Sequence, residues 1–169
     1  MTKFNPVKFA GTSLTGDDFK KGKVLITTWV PKAEYYWSAG VAIGYFLNKL
    51  KEGIIVGRRC NRCARILVPP RMFCEQCFRP TDEWVTCRDT GKINTFAICY
   101  IATDASRMKE PKLPAVIEID GASPGMGILH LLGEVKPDEV KIGMRVRAVW
   151  KPKHERKGDI TDIRYFKPE

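Results

Sequence analysis

Two pairs of cysteines, Cys60-Asn61-Arg62-Cys63 and Cys74-Glu75-Gln76-Cys77, stand ten residues apart, and no other feature restricts the chain as strongly. Two residues between cysteines let one tight turn present both sulfurs to a single metal ion. Thiolates also supply the charge and softness that zinc prefers in a tetrahedron. The spacer holds Ile66-Leu67-Val68-Pro69-Pro70-Arg71, a strand-like stretch able to return the chain and set a second knuckle opposite the first. The spacing predicts a structural zinc site of Cys60, Cys63, Cys74 and Cys77, with iron as the chemically plausible substitute. Four thiolates close the shell, so the metal would hold the fold and not act as a Lewis acid. A segment of about thirty residues buries little core, and the metal substitutes for it. Ala64 and Phe78 follow the two pairs where glycine is common, so either a strained φ or a slightly different turn must be accommodated.

The other two cysteines, Cys87 and Cys99, stand alone in apolar segments and read as small core residues. Among the 169 residues, 44% are hydrophobic and 28% charged, the balance of a globular protein. No apolar run is long enough for a membrane helix. The start, Met1-Thr2-Lys3-Phe4-Asn5-Pro6, has no apolar stretch of a secretory signal, which leads to the expectation of a cytoplasmic protein with reduced thiols. One glutamine and four asparagines beside abundant Lys, Arg and Glu resemble a thermophile's composition.

The chain divides into three modules. Residues 1–53 are expected to be helical. Thr15 or Asp17 caps a short helix beginning near Asp18, and Pro31 suits the first turn of a second helix. The proline-free stretch Ala33 to Glu52 carries apolar residues at helical spacing, closed by Gly53. This helix would include Tyr35, Tyr36, Trp37, Tyr45 and Phe46, more rings than one small core accepts. They either pack on the neighbouring modules or offer a partner surface. Residues 54–83 form the cysteine module.

Residues 84–169 read as all-β. The pattern predicts a strand at 84–87, a tight turn, and a long strand at 92–101. A loop follows at 103–114, then strands at 115–119 and 125–135, a helical turn at 137–143, a strand at 145–150 and a last one at 159–166. Five or six short strands of this kind suit an OB-fold barrel, with a split β-sandwich as the alternative.

Catalytic chemistry is sparse. His130 lies in an apolar strand and His154 in a basic loop, neither beside a recognisable nucleophile. The glycines of 121–127 lack the lysine and helix of a phosphate loop. No catalytic residue is assigned, and the expectation is a protein that is not an enzyme on its own.

Taken together, the aromatic stretch, Arg59-Cys60-x-x-Cys63, Pro69-Pro70-Arg71, Cys74-x-x-Cys77, Ile142-Gly143-Met144-Arg145-Val146 and Ile163-Arg164-Tyr165-Phe166-Lys167-Pro168 form a pattern over about residues 33–168. It resembles the zinc-ribbon plus OB-fold proteins associated with acyl-CoA metabolism, long catalogued as a domain of unknown function. The resemblance implies N-terminal helices, a rubredoxin-like zinc ribbon and a C-terminal OB-fold. It also implies a partnership with thiolase-like enzymes, including a bridge between acetoacetyl-CoA thiolase and hydroxymethylglutaryl-CoA synthase. The chemistry would then belong to the partners, and this chain would act as a scaffold able to contribute part of a CoA channel.

The residues are compatible with that expectation. Lys109 and Lys112 on one loop, or Lys151, Lys153, Arg156 and Lys157 on another, could meet CoA phosphates, and Tyr35, Tyr36 and Trp37 could meet an enzyme. The rival is single-stranded nucleic acid, bound by an OB-fold through exposed aromatics such as Phe96 and Tyr100. The formal charge of +10 invites that rival, because basic residues displace counterions from phosphates. Yet the excess is +4 in residues 1–56, +3 in 57–84 and +3 in 85–169, spread over all modules and not gathered on the barrel. A zinc ion with four thiolates would lower the total to about +8.

Overall fold

A threonine and an aspartate start the first helix. The computed structural model describes residues 14–27 and 34–169, so Pro31 and Ala33 lie outside the described residues. Helix α1 (Gly16–Lys20) follows Thr15. The Asp18 carboxylate accepts from the Thr15 N–H at 3.0 Å and from its hydroxyl at 2.7 Å, closing the turn that a capping box supplies. The chain up to Trp37 and the chain from Ser38 onward form separate compact units. In the first, Tyr35, Tyr36 and Trp37 are all exposed. The Tyr36 hydroxyl donates to the Glu34 carboxylate at 2.8 Å, and the Tyr35 and Trp37 rings sit 6.4 Å apart.

These three aromatics are not helical, which corrects the helix expected from Ala33. Residues 34–39 are irregular, and helix α2 spans Gly40–Glu52. Gly40 enters it at φ +67°, a left-handed backbone that stops the helix from extending backward. The buried stripe is Ala42, Phe46 and Leu50, one residue every four, while Val41 faces solvent. Gly53 at φ +85° ends the helix, donating to Leu50 O at 2.8 Å while Ile54 donates to Lys49 O at 2.9 Å. That is the expected glycine cap.

The strands after it are β1 (Ile55–Arg59), β2 (Ile66–Leu67), β3 (Phe73–Cys74), β4 (Arg79–Pro80), β5 (Glu83–Cys87), β6 (Thr90–Phe96), β7 (Cys99–Ile101), β8 (Arg107–Lys112), β9 (Pro114–Ile119), β10 (Gly127–Leu131), β11 (Arg145–Trp150) and β12 (Ile163–Pro168). They build a three-stranded sheet β2-β1-β5, a five-stranded antiparallel sheet β10-β9-β6-β11-β12, and two hairpins, β3-β4 and β7-β8. The strand at 84–87 is therefore not the hairpin partner of the next one. β5 pairs with β1, from Ile55↔Cys87 to Arg59↔Glu83, and Arg88-Asp89 carries the chain into the other sheet. The long strand expected at 92–101 breaks after a register shift between Ile93 and Thr95. The loop expected at 103–114 contains β8, paired with β7. Its residues, Arg107-Met108-Lys109-Glu110-Pro111-Lys112, look loop-like because an edge strand tolerates both charge and proline. The helical turn expected at 137–143 consists of non-helical turns.

Of the expected OB-fold barrel the structure shows the β-sheet domain, and no sheet in it closes into a true barrel. At the seam between β10 and β12 the ladder shrinks to one isolated parallel bridge, Leu132↔Phe166. Beyond it, Gly133 N–H donates to Phe166 O at 2.9 Å and the Glu134 carboxylate accepts from Tyr165 and Lys167 at 2.7 and 3.0 Å, but no further ladder joins the two edges. Elsewhere the strands approach closely. A Cβ on Gly91 would collide with the Glu118 carbonyl, and one on Gly127 with the Ile117 carbonyl.

One core serves helix, cysteine module and large sheet. Phe46 and Leu50 of α2 cluster with Ile55 and Val56 of β1, and with Ile93, Ile117, Ile128, Val146, Ile163 and Phe166 of the large sheet. Each such side chain, fully buried, contributes about 1.5–3 kcal/mol. Disturbing the cysteine module therefore reaches the sheet.

At the sheet's other end Arg145 grips Asp120 with two hydrogen bonds of 2.9 and 2.5 Å, and the Thr90 hydroxyl adds a third at 2.5 Å. The Arg145 guanidinium, ahead of Thr90, holds the Asp120 carboxyl at about 2, below the ordinary 3.8. A carboxyl lowered by folding contributes stability above its unfolded pKa and loses it as pH falls through the folded one. Thermal unfolding followed from pH 5 to pH 2 should show the melting temperature falling chiefly between about pH 4 and 2. In Arg145→Met this component of the fall should vanish; an unchanged profile would refute the assignment.

Candidate metal centre

The first knuckle is the turn Cys60 to Cys63 at the end of β1, tied by Cys60 N–H donating to Arg65 O at 2.9 Å. The second is the turn joining β3 to β4. Together they bring the four cysteine sulfurs within 4.8 Å of one another. Cys60 and Cys74 are fully buried, Cys63 and Cys77 half-buried. The Cys63 and Cys74 sulfurs are 3.7 Å apart. A tetrahedron with metal–sulfur bonds of about 2.3 Å places its sulfurs about 3.8 Å apart, so the quartet fits zinc or iron. Ala64 has φ +59° and Phe78 φ +50°, the left-handed backbone the missing glycines demand. Each costs an ordinary residue about 1–2 kcal/mol.

Side chains lock the two turns. Asn61 N–H donates to Asp82 at 2.6 Å, and Asp82 also pairs with Arg79 at 2.8 Å. Arg65 and Arg71 reach Glu75 at 2.8 and 3.2 Å, which joins the spacer to the second knuckle. Buried Arg58 donates to the Thr81 hydroxyl at 2.9 Å and to its carbonyl at 2.6 Å, and its guanidinium lies 4.7 Å from the Trp84 ring centre. The β9-β10 turn clamps the spacer, because Ser123 N–H donates to Ile66 O at 3.0 Å and Ile66 N–H to the Ser123 hydroxyl at 2.9 Å. Backbone N–H groups, led by that of Cys63, lower the Cys60 thiol, whereas burial raises Cys77. Four thiolates this close together repel one another. A divalent cation would hold all four as thiolates, with a structural role.

The other predicted residues separate into two groups. Lys109 and Lys112 lie on β8, and Lys112 borders a depression of about 250 Å³ with Cys99, Ile101, Met108, Pro114 and Leu131. A second depression of about 340 Å³ shares Pro114 and Leu131 and adds Leu129, His130, Ile160 and Thr161. Lys151 donates to the Thr161 hydroxyl at 3.1 Å. The two depressions meet at Pro114 and Leu131 and make an apolar trough, with Lys112 lining one part and Lys151 bonded to a residue that lines the other. Lys109, Lys153 and Lys157 are exposed outside it. Arg156 turns inward, donating to Lys151 O at 2.7 Å with its guanidinium 5.3 Å from the Trp150 ring centre.

The trough has a signature in the sequence that the strand assignment passed over. Gly127-Ile128-Leu129-His130-Leu131-Leu132 is apolar at successive positions, so Ile128 faces the core while Leu129 and Leu131 face outward. His130 is satisfied: its Nδ1 accepts from Leu131 N–H at 2.9 Å, which leaves Nε2, 3.3 Å from Ile160 O, as the donor. Phe96 packs against the core, whereas Tyr100 is exposed. A larger cleft of about 440 Å³ is lined in part by Arg88, Arg145 and Arg147. Glu169 pairs with both Arg145 and Arg147 there, at 3.1 and 3.2 Å, which leaves little attraction for an anion. No helix among the described residues is long and apolar enough to cross a membrane.

A cysteine quartet carried on a helix-buttressed ribbon and followed by an open five-stranded sheet defines a zinc-ribbon protein with a β-sheet domain. Residues 47–83 match the ChsH2 rubredoxin-like zinc ribbon domain, and residues 84–151 match the ChsH2 C-terminal OB-fold domain. The chain is 32% identical over 118 residues to a DUF35 domain-containing scaffold protein of Methanocaldococcus jannaschii, covering 68% of this chain and 81% of that one. It belongs to the DUF35 (ChsH2-type) family of zinc-ribbon plus OB-fold proteins, which is related to thiolase-associated proteins. A DUF35-family protein of unknown function from Sulfolobus solfataricus superposes with a TM-score of 0.56 at 29% identity, over 65% of this chain and 78% of that one. The Ltp2-ChsH2(DUF35) aldolase superposes with a TM-score of 0.53 at 21% identity, over 73% of this chain and 91% of that one.

The last likeness corrects the expectation of a protein without enzymatic activity. The fold occurs in a structure that is an aldolase, so the fold itself does not exclude catalysis. The closed cysteine shell speaks only against the metal as a Lewis acid; it says nothing about what the sheet domain contributes to a reaction. The domain architecture is consistent with an accessory or scaffold role near acyl-CoA enzymes.

Proposed function

We propose that the chain is a zinc-holding cytosolic component that binds a thiolase-like enzyme, and in its fullest form bridges acetoacetyl-CoA thiolase and hydroxymethylglutaryl-CoA synthase. In this reading residues 54–83 are the metal-held module and residues 84–169 bear the ligand surface. The observation that carries it is the 32% identity to a scaffold protein over 118 residues. The exposed Tyr35, Tyr36 and Trp37 serve as enzyme contacts, since aromatics are enriched in such anchors. The apolar trough, with Lys112 on its lining and Lys151 bonded to Thr161 of that lining, supports contact with acyl-CoA. Its floor of Pro114, Leu129, Leu131 and Ile160 suits pantetheine or an acyl chain, and the two ammonium groups suit the phosphates. Lys109, Lys153, Arg156 and Lys157 stay outside that role.

Two observations count against the single-stranded nucleic-acid reading. Phe96 is held against the core, and the positive charge is spread over every module.

Co-expression with a thiolase-like enzyme should give one complex on size exclusion. Acetyl-CoA titrated into that complex should bind about tenfold more weakly when Lys112 and Lys151 are both changed to Glu, a loss of about 1.4 kcal/mol. Absence of a complex, together with salt-sensitive binding of single-stranded DNA, would replace this function with the nucleic-acid one.

A further inference from the structure

Four thiolates around one divalent ion make a doubly negative centre. Two of them, on Cys60 and Cys74, are fully buried, so water balances little of that charge and the fold has to supply the rest. Arg65 spans both knuckles. Its carbonyl accepts from the Cys60 N–H at 2.9 Å, and its guanidinium donates to Glu75, the residue after Cys74, at 2.8 Å. The same guanidinium reaches the Met126 sulfur in the β9-β10 turn at 3.9 Å. The side chain is 18% exposed, against 49% for Arg71.

Glu75 does not cancel this cation. A single Glu75 oxygen serves both Arg65 and Arg71, at 2.8 and 3.2 Å. Two guanidiniums therefore share one carboxylate, and the trio keeps a net positive charge beside the quartet. The neighbouring Asp82–Arg79 pair at 2.8 Å sets one charge against one. The Glu75 hydrogen bond first, with the Cys74 and Cys63 thiolates behind it, holds the Arg65 guanidinium above its ordinary value. Attraction of this kind is mutual, so the guanidinium favours the negative centre in return.

We propose that Arg65 is a positioning residue of the metal centre, which balances its doubly negative state and so favours a divalent ion over a trivalent one within the same four thiolates. This role requires the quartet to hold a metal ion and is independent of any partner enzyme. A fixed cation beside a thiolate centre stabilises whichever state carries more negative charge, and a guanidinium keeps its own charge throughout. Zinc and ferrous iron give the doubly negative state, whereas ferric iron gives a singly negative one.

The test is the ferric–ferrous potential of the full chain loaded with iron, because net charge and hydrogen bonding set such potentials. Arg65→Met keeps an apolar stem and removes the charge. The equilibrium should move about tenfold toward ferric iron, about 59 mV for one electron, and Arg65→Lys should restore most of the difference. Glu75→Gln should shift the potential the opposite way, since it leaves both guanidiniums uncompensated. Arg71→Met, at a more exposed and better screened position, should shift it less than Arg65→Met. In the zinc-loaded chain, transfer to a chromogenic chelator should be about tenfold faster in Arg65→Met. An unchanged potential in Arg65→Met or in Glu75→Gln overturns the role. Shifts of the same sign in those two variants also overturn it, because they mark loosened knuckles and not charge. Where Arg65→Met holds no iron, the sign of the Glu75→Gln shift decides: a positive shift upholds the role, and no shift or a negative one overturns it. A wild-type chain that takes up neither zinc nor iron overturns the metal centre together with this role.

Discussion

Replacing Cys74 by serine should abolish metal binding and unfold the cysteine module. Its sulfur is fully buried and 3.7 Å from that of Cys63, so the smaller, harder hydroxyl would be left without a metal partner in that position. Structural zinc contributes about 10–16 kcal/mol in small zinc modules, and a whole domain is stable by about 5–15 kcal/mol. The loss should not stay local. β1 lies between β2 and β5, and its Ile55 and Val56 belong to the same core as Phe166 and Ile117. Elemental analysis should fall from one zinc or iron per chain to none, and hydrogen exchange should lose protection from β1 through β5 and at the ends of α2. Cys87→Ala is the control: it removes a buried thiol outside the quartet and should keep the metal, at a cost of about 1 kcal/mol. Full metal content and an unchanged melting temperature in Cys74→Ser would refute the centre.

Asp162→Ala should be the most damaging single change in the large-sheet domain, costing about 3–5 kcal/mol. Asp162 is fully buried in a half-turn before β12. Its carboxylate accepts from the backbone N–H groups of Lys157, Gly158 and Asp159 at 2.9, 2.7 and 3.2 Å. Burial by itself would raise its pKa, but these three donors together hold it below the ordinary carboxylate value. Its contribution is therefore complete above the unfolded pKa and lost as pH falls through the folded one.

Asparagine should rescue little. All three partners are donors, and an amide NH2 replacing either oxygen would face at least one of them. Chemical denaturation of the Ala and Asn variants should place both well below wild type, with the 151–159 loop losing exchange protection first. An Asn variant as stable as wild type would show that the charge is dispensable.

The metal quartet was legible because its geometry is local. Two residues between cysteines define a turn, and the absence of glycine at Ala64 and Phe78 left a strained φ or a different turn as the choices, of which the backbone takes the first. Gly53 was legible as a helix end for the same reason: a left-handed cap is a property of a few neighbouring residues. The start of α2 was misread because apolar spacing runs on through Trp37, while the backbone at Gly40 breaks the helix. β8 was misread because charge and proline mark a loop unless a partner strand is present to pair with it, as β7 is.

By itself, the amino-acid sequence determined the local chemistry: the four-thiolate site, the helix cap, and the alternation of 145–148 that faces Val146 and Ala148 inward. The tertiary structure alone decided which strands pair and which surfaces remain free. It joined β5 to β1, stopped the β10-β12 ladder after one bridge, and set Lys112 on the lining of an apolar trough. It also turned Arg156 inward and left Phe78 exposed. The reason is physical. Turns and caps depend on residues within a few positions, whereas pairing and exposure depend on contacts between segments far apart in the chain, where many partners satisfy the same hydrophobic pattern.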